Sequence, residues 1–129
     1  MTRATPPPMP TEAEVAILEV LWDQGRSTVR QVHEVLGART GVGLTTVLKL
    51  MQIMVTKGLL ERDTEVRPQV FWPAQAQRQT QKRLVRDLLD KAFSGSPGEL
   101  VLQALSVRRS TPEELAEIRR LLDDLEARS

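Results

Sequence analysis

Few side chains in this chain could support catalysis or hold a metal ion. The 129 residues include no cysteine, and His33 is the one histidine. These counts exclude cysteine-ligated metals and thiol chemistry, and they leave no nucleophile with a matching base. We therefore expect no catalytic residue, no metal site, no cofactor and no enzyme activity.

The polar residues of interest instead form one helical stripe within residues 44–57. At about 100° per residue, Thr45, Thr46, Lys49 and Gln52 fall opposite an apolar stripe. Threonine, lysine and glutamine can hydrogen-bond phosphates and base edges, and a threonine methyl can pack on thymine. Ile53 shares this side and suits either DNA or a protein partner. The alternative for each residue is a solvated position without any contact.

Charge is segregated along the chain although its net value is only +1. Residues 11–25 carry four acids and no base, whereas residues 26–67 carry seven bases against four acids. Residues 76–91 are again basic and residues 111–127 acidic. This asymmetry favours a polyanionic partner for the middle of the chain. No apolar run reaches the roughly 18 residues of a membrane helix, so a cytoplasmic protein without membrane contact is expected.

Capping signals place the stripe in a defined order of elements. Thr11-x-x-Glu14 and Thr28-x-x-Gln31 are capping boxes that begin two helices, which glycines at 25 and 37 are predicted to end. The third helix covers residues 44–57. Two β-rich runs, 59–63 and 69–72, follow around a polar turn and predict a hairpin. Three helices and a hairpin form a helix-turn-helix with a wing. This winged helix covers residues 11–75, after a disordered proline-rich arm at 1–10.

Residues 76–129 predict three further helices. One covers about 76–93, and Ser96 and Thr111 each precede a proline at the first helical position of the next two. Their leucines lack cover within one chain, which is typical of helices that pair with a second copy. The alternative is that they fold back on the first domain. The predicted dimer interface comprises Leu84, Leu88, Leu89, Leu100, Leu115, Ile118 and Leu122.

Several sequence blocks resemble the penicillinase-repressor (BlaI/MecI/CopY) family. They are residues 18–22 (LEVLW), 28–36 (TVRQVHEVL), 45–48 (TTVL), 57–60 (KGLL) and 83–95 (RLVRDLLDKAFSG). The resemblance covers about residues 11–125. It implies a mostly α fold with a small β-hairpin wing, namely a winged helix-turn-helix DNA-binding domain and a C-terminal helical dimerisation domain. It also implies a bacterial repressor that binds a palindromic operator in double-stranded DNA as a homodimer and blocks transcription.

The resemblance assigns roles by position. Thr45, Thr46 and Lys49 match recognition-helix positions, and Arg67 matches a wing arginine expected at phosphate or the minor groove. Thr28 and Arg30 lie where a helix N-terminus meets phosphate. Gln52 completes the predicted DNA-binding set. Trp22 and Phe71 are expected in the core, Trp72 is left undecided, and His33 is expected at a packing or surface position.

The chain departs from its family pattern at three places. Gln52 and Ile53 stand where many relatives carry basic residues, which weakens the phosphate contribution to affinity. Gln103-Ala104 stands where relatives that are cut by a membrane receptor-protease carry Asn-Phe, which argues against that partner. The absence of cysteine excludes the cysteine metal hook of the copper-responsive branch. The first departure leaves an alternative function, a winged-helix protein-interaction module that has lost specific DNA binding.

Overall fold

The computed structural model describes residues 7–129 and contains six helices and one hairpin within that part of the chain. The first three helices are α1 (Glu12–Gln24), α2 (Val29–Thr40) and α3 (Leu44–Lys57). Strands β1 (Leu60–Asp63) and β2 (Val70–Pro73) follow. The remaining helices are α4 (Gln77–Ala92), α5 (Pro97–Val107) and α6 (Pro112–Arg128). This order confirms the mostly helical winged-helix prediction.

Local capping chemistry explains where α1 begins and where α3 ends. Thr11 accepts a hydrogen bond from the backbone N–H of Glu14, and the Glu14 side chain accepts one from the backbone of Thr11. This reciprocal arrangement satisfies two amides that a helix N-terminus would otherwise leave unpaired. α3 ends at Gly58, whose φ of 85° is left-handed and suits a residue without Cβ. Both ends match the sequence prediction.

The prediction that Gly37 ends α2 is wrong. The helix continues to Thr40, and Gly41 ends it with a left-handed φ of 77°. Gly37 lies inside the helix, and the ring of His33, one turn earlier, lies beside it. A Cβ at position 37 would approach the His33 Nε2 to 2.9 Å. The His33 ring nitrogen lies 3.1 Å from the Val42 carbonyl oxygen, so the imidazole packs across α2 toward the α2–α3 loop.

The first compact unit extends to Leu84. The hairpin is antiparallel, with Leu60 opposite Pro73 and Arg62 opposite Phe71. Ser27 extends it by one bridge, since its backbone N–H and C=O both bond Phe71. The core lies between the three helices and this sheet, and its buried members include Ile17, Leu18, Leu21, Val32, Val47, Met51, Met54, Leu60 and Phe71. Phe71 is thus a core residue as predicted, and Trp22, also predicted there, is half-buried and packs against the core.

The second compact unit covers Val85–Ser129. Ser96 and Thr111 cap α5 and α6 as predicted, each accepting from the backbone N–H three residues later. No residue of this unit is buried in the single chain. Among the described residues, no helix is both long and apolar enough to cross a membrane.

The unit boundary falls inside α4, whereas the sequence placed the domain boundary at residues 75 and 76. The start of α4 belongs to the first unit because Thr80 is buried there. Residues 1–6 of the predicted disordered arm lie outside the described residues. Of the rest of that arm, residues 7–10 form neither helix nor strand, yet Pro7 is buried and borders a small cleft with Leu59 and Thr80.

Candidate nucleic-acid interface

The outward surface of α3 is polar and rich in methyl groups. Val47, Met51 and Met54 turn into the core, so the opposite side faces outward. That side carries the predicted residues Thr45, Thr46, Lys49 and Gln52, all exposed, together with Leu48, Ile53 and Thr56. The structure therefore places these four predicted residues on one accessible helix surface.

The N-terminus of α2 is held by its cap. Thr28 Oγ1 accepts from the Gln31 backbone N–H at 3.2 Å, and Gln31 Oε1 accepts from the Thr28 backbone N–H at 2.8 Å. The Thr28 hydroxyl thus has a structural task at the start of the helix, while Arg30 is exposed beside it. Of Thr28 and Arg30, Arg30 is therefore the residue whose side chain is accessible to a ligand.

A surface cleft of about 440 Å³ joins α2, α3 and the hairpin. Its apolar lining consists of Val29, Leu44, Leu48, Pro68 and Phe71. Its polar lining consists of Thr28, Arg30, Gln52, Arg62 and Gln69. The cleft therefore brings together three predicted residues, and it contains two arginines without any carboxylate.

Arg62 enters this cleft because of the strand register. Residues directly opposite each other in an antiparallel pair project to the same side of the sheet, and Arg62 is paired with the core residue Phe71. Arg62 therefore projects toward the helices although it is exposed to solvent. Arg62 and Gln69 were not predicted from the sequence. Alternation along β1 assigns its side chains to two sides of the sheet, but it does not say which side faces α3.

The other side of the sheet carries a separate stack of side chains. The Arg26 guanidinium lies 3.8 Å from the centre of the Trp72 ring, which is a cation–π distance. The Trp72 Nε1 donates to Glu61 Oε2 at 3.0 Å, and Glu61 is the residue opposite Trp72 in the hairpin. Trp72, undecided from the sequence, is thus held on the outer side of the wing.

Arg67 lies in the turn between β1 and β2 and is exposed. The turn begins with a local hydrogen bond in which the Glu65 backbone N–H donates to Asp63 Oδ1. Pro68, the next residue, borders the cleft. Arg67 therefore stands in the exposed turn of the wing, and its contact with DNA stays a prediction.

A partly buried ion pair joins α3 to α1. The Lys57 Nζ donates to both carboxylate oxygens of Glu14, at 3.1 and 2.8 Å. Glu14 is only 1% exposed. Burial would raise the pKa of the Glu14 carboxyl, but hydrogen bonds from Lys57 and from the Thr11 backbone outweigh burial and leave that pKa below its usual value. The pair ties the end of α3 to the first turn of α1.

The predicted dimer residues remain accessible in the single chain. Leu88 is 45% exposed and Leu122 is 50% exposed. The other five are half-buried: Leu84, Leu89, Leu100, Leu115 and Ile118. Leu84 is the last residue of the first unit, and the other six belong to the second.

Comparison with known proteins gives matches over nearly the whole chain. The sequence profile of the penicillinase repressor family matches residues 10–124. The chain is 31% identical over 117 residues to the transcriptional regulator BlaI of Mycobacterium tuberculosis, in strains CDC 1551 and H37Rv. The aligned part covers 90% of this chain and 84% of that regulator.

Two solved structures show more distant similarity. A MarR-family transcriptional regulator from Silicibacter pomeroyi has a TM-score of 0.46 and 18% identity, over 87% of this chain and 65% of that one. The Bordetella bronchiseptica protein BpsR, whose DNA binding is regulated by 6-hydroxynicotinic acid, has a TM-score of 0.45 and 22% identity, over 95% of this chain and 83% of its own.

Proposed function

The chain belongs to the penicillinase repressor family of transcriptional regulators, and from that premise we propose that it binds a palindromic operator as a homodimer and blocks transcription. In this proposal α3 enters the major groove, and the N-terminus of α2 and the wing contact the flanking backbone. The chain works in the cytoplasm, where genomic DNA is accessible. The family relatives are transcriptional regulators rather than enzymes, in agreement with the sequence analysis.

The observation that carries this proposal is the composition of the surface around α3. The exposed side of the helix offers hydroxyl, ammonium and amide donors from Thr45, Thr46, Lys49 and Gln52. The adjoining cleft adds Arg30 and Arg62 and contains no acidic side chain. Hydrogen-bond donors on α3 suit the base edges in the groove, and the arginines beside the helix suit the phosphates that flank them.

Dimerisation is supported by the second unit, which has no buried residue in the single chain. Its exposed apolar side chains include Leu88, Val101, Leu102, Leu121, Leu122 and Leu125. Apolar helices of this kind gain their stability from packing against other helices, and a second copy supplies such a surface with two-fold symmetry. A dimer would also fix the separation of two recognition helices at one turn of DNA, about 34–36 Å.

Release from DNA in this proposal does not use a receptor-protease. Gln103 and Ala104 replace the Asn-Phe of the cleaved relatives, and both lie in the interior of α5. Proteases cut preferentially at exposed loop tips rather than within helices. We expect the chain to stay intact when it leaves the operator.

A second candidate function is a protein-interaction module built on the same helix. Leu48 is 40% exposed and Ile53 is 38% exposed, so α3 presents two large apolar side chains. Clusters of exposed apolar residues mark protein interfaces as well as DNA contacts. This candidate predicts no affinity for duplex DNA.

Salt dependence separates the two candidates. The full chain is titrated onto mixed-sequence duplex DNA at two salt concentrations, with fluorescence anisotropy of a labelled duplex as the readout. A repressor should bind at low salt and lose affinity steeply, with a slope of about −0.9 in log Kobs against log salt per phosphate contacted. Absence of binding at low salt would refute the repressor proposal and favour the interaction module.

A further inference from the structure

We propose that the cleft between α2, α3 and the hairpin seats one sugar–phosphate strand of the operator, and that Arg62 is a phosphate-binding residue of the wing. Arg62 is not among the residues to which the family resemblance assigned a role in DNA binding. This inference rests on the proposed function and specifies which surface beside α3 meets the DNA backbone.

The size of a helix relative to the major groove leads to this assignment. An α-helix with its side chains is about 10–12 Å wide, and the major groove is about 12 Å wide. A helix in the groove therefore has a sugar–phosphate strand along each side. Leu44, Leu48 and Gln52 follow one another at i, i+4 and i+8 along the side of α3 that lines the cleft. The cleft is thus the surface beside the helix on that side.

The chemistry of the cleft suits a phosphodiester chain better than a protein segment. Arg30 approaches from the α2 wall and Arg62 from the β1 wall, and no carboxylate competes for either guanidinium among the lining residues. Arginine offers a fork of donors that binds phosphate in a bidentate manner. Leu44 and Leu48 supply an apolar surface on which deoxyribose can pack. A peptide segment would gain from the same apolar surface but not from two cations unless it were acidic.

The fold also holds Arg62 in place for this task. Its backbone is paired with Phe71, which is buried in the core and bridged in turn to Ser27. Strand β2 is therefore fixed to the α1–α2 connection through Ser27 and to the core through Phe71, and it holds β1, the strand that carries Arg62, in register. The guanidinium is exposed, but the backbone that carries it is rigid. This rigidity lowers the entropic cost of binding.

The test compares the full-length wild type with Arg62→Ala, Arg62→Lys and the control Arg128→Ala. Arg128 is an exposed arginine at the end of α6, in the second unit. Affinity for a mixed-sequence duplex is measured over a series of salt concentrations. Arg62→Ala should lower the magnitude of the salt slope by about 0.9 for each bound protomer. Arg62→Lys should keep most of the slope because it keeps the charge, and Arg128→Ala should match the wild type.

The outcomes separate the inference from the function on which it rests. A wild type that binds DNA with a slope that Arg62→Ala leaves unchanged overturns the inference, and the repressor proposal survives; occupation of the cleft by a protein segment would give this result. Loss of slope in Arg62→Lys as large as in Arg62→Ala, with circular dichroism showing both variants folded, would mean that the charge at position 62 does not carry the slope, and would also overturn it. A wild type that does not bind DNA overturns the proposed function itself.

Discussion

Lys49 and Lys57 are the two lysines of α3, and their surroundings give them different tasks. Lys57 bonds both oxygens of the buried Glu14 carboxylate, so it belongs to the fold. Lys49 is exposed near the middle of the outward surface, between Thr45 and Gln52. In the repressor proposal, Lys49 is therefore the charged residue of α3 that reaches the floor of the major groove.

Replacement of Lys49 should impair recognition of sequence more than general attraction to DNA. Lys49→Ala is expected to weaken binding to a duplex selected by the wild type from a random pool by about 1–3 kcal/mol, because a base contact is lost. Binding to mixed-sequence DNA should change much less. Lys82→Ala, an exposed lysine of α4, serves as the control. Equal losses on both duplexes would assign Lys49 to a phosphate instead.

The Glu14 carboxylate should make the fold sensitive to acid. Its folded-state pKa lies below the usual 4.5, so its contribution to stability is present above pH 4.5 and is lost as the pH falls through the folded-state value. Glu14→Gln should lower the free energy of unfolding by about 1–3 kcal/mol at neutral pH, since a hydrogen bond to a charged group is lost. The gap between wild type and variant should narrow in acid.

Urea denaturation at several pH values measures this gap. Glu12→Gln provides the matched control, because Glu12 lies in the same helical turn but is exposed. A gap that stays constant from neutral pH to acid would contradict the role assigned to the Glu14–Lys57 pair.

At the scale of elements, the sequence was sufficient where the determinants are local. The Thr11 box and Gly58 act within one helical turn, and they located the start of α1 and the end of α3. The end of α2 could not be read in this way, because Gly37 lies inside the helix, where an added Cβ would meet the His33 ring, and Gly41 is the glycine that ends it. The cleft was also out of reach, since Arg62 enters it only through pairing with Phe71. The register between two strands, unlike a helix cap, is not determined by residues close together in the sequence.

Gly37 and His33 should be energetically coupled within α2. Alanine in a helix interior is favoured over glycine by about 1 kcal/mol, but a Cβ at position 37 would displace the ring that lies 2.9 Å away. Gly37→Ala should therefore stabilise a His33→Ala background by about 1 kcal/mol and give little or no gain in the wild type.

A double-mutant cycle by urea denaturation tests this coupling. Gly98→Ala in α5 is a suitable control, because the nearest atom to its added Cβ is Ser96 Oγ at 3.9 Å and His33 is not among its neighbours. Identical effects of Gly37→Ala in both backgrounds would show that the His33 ring does not explain the glycine.

At the scale of the whole molecule, the two units differ in how completely a single chain can build them. The first contains a continuous core from Ile17 to Phe71. The second, residues 85–129, contains eight large apolar side chains that are more than two-fifths exposed: Val85, Leu88, Val101, Leu102, Val107, Leu121, Leu122 and Leu125. A core that a chain cannot close by itself is completed by association, and the stability of such a unit depends on protomer concentration.

Charged substitutions in the second unit should therefore dissociate the proposed dimer. Leu88→Asp and Leu122→Asp each remove from both protomers a leucine that the proposed dimer would bury, at about 1.5–3 kcal/mol per leucine, so the dimer should weaken by roughly a hundredfold to ten-thousandfold. Sedimentation equilibrium measures the change. Val66→Asp is the control, because Val66 is 42% exposed in the wing turn of the first unit. A dimer that resists both substitutions would place the interface elsewhere.

The methyl-rich surface of α3 has a thermodynamic consequence for binding. Thr45, Thr46, Leu48, Ile53 and Thr56 expose hydrocarbon around a single free lysine side chain, Lys49, while Arg30, Arg62 and Arg67 lie outside the helix. Burial of hydrocarbon makes the heat-capacity change of binding negative. Release of counterions from phosphates makes the affinity depend on salt concentration. Calorimetry over a range of temperatures would thus report on the helix, and titration over a range of ionic strengths on the arginines beside it. The choice of operator sequence would then depend on α3, and nonspecific binding to DNA would depend on the arginines beside it. Substitutions could therefore change one of these properties without the other.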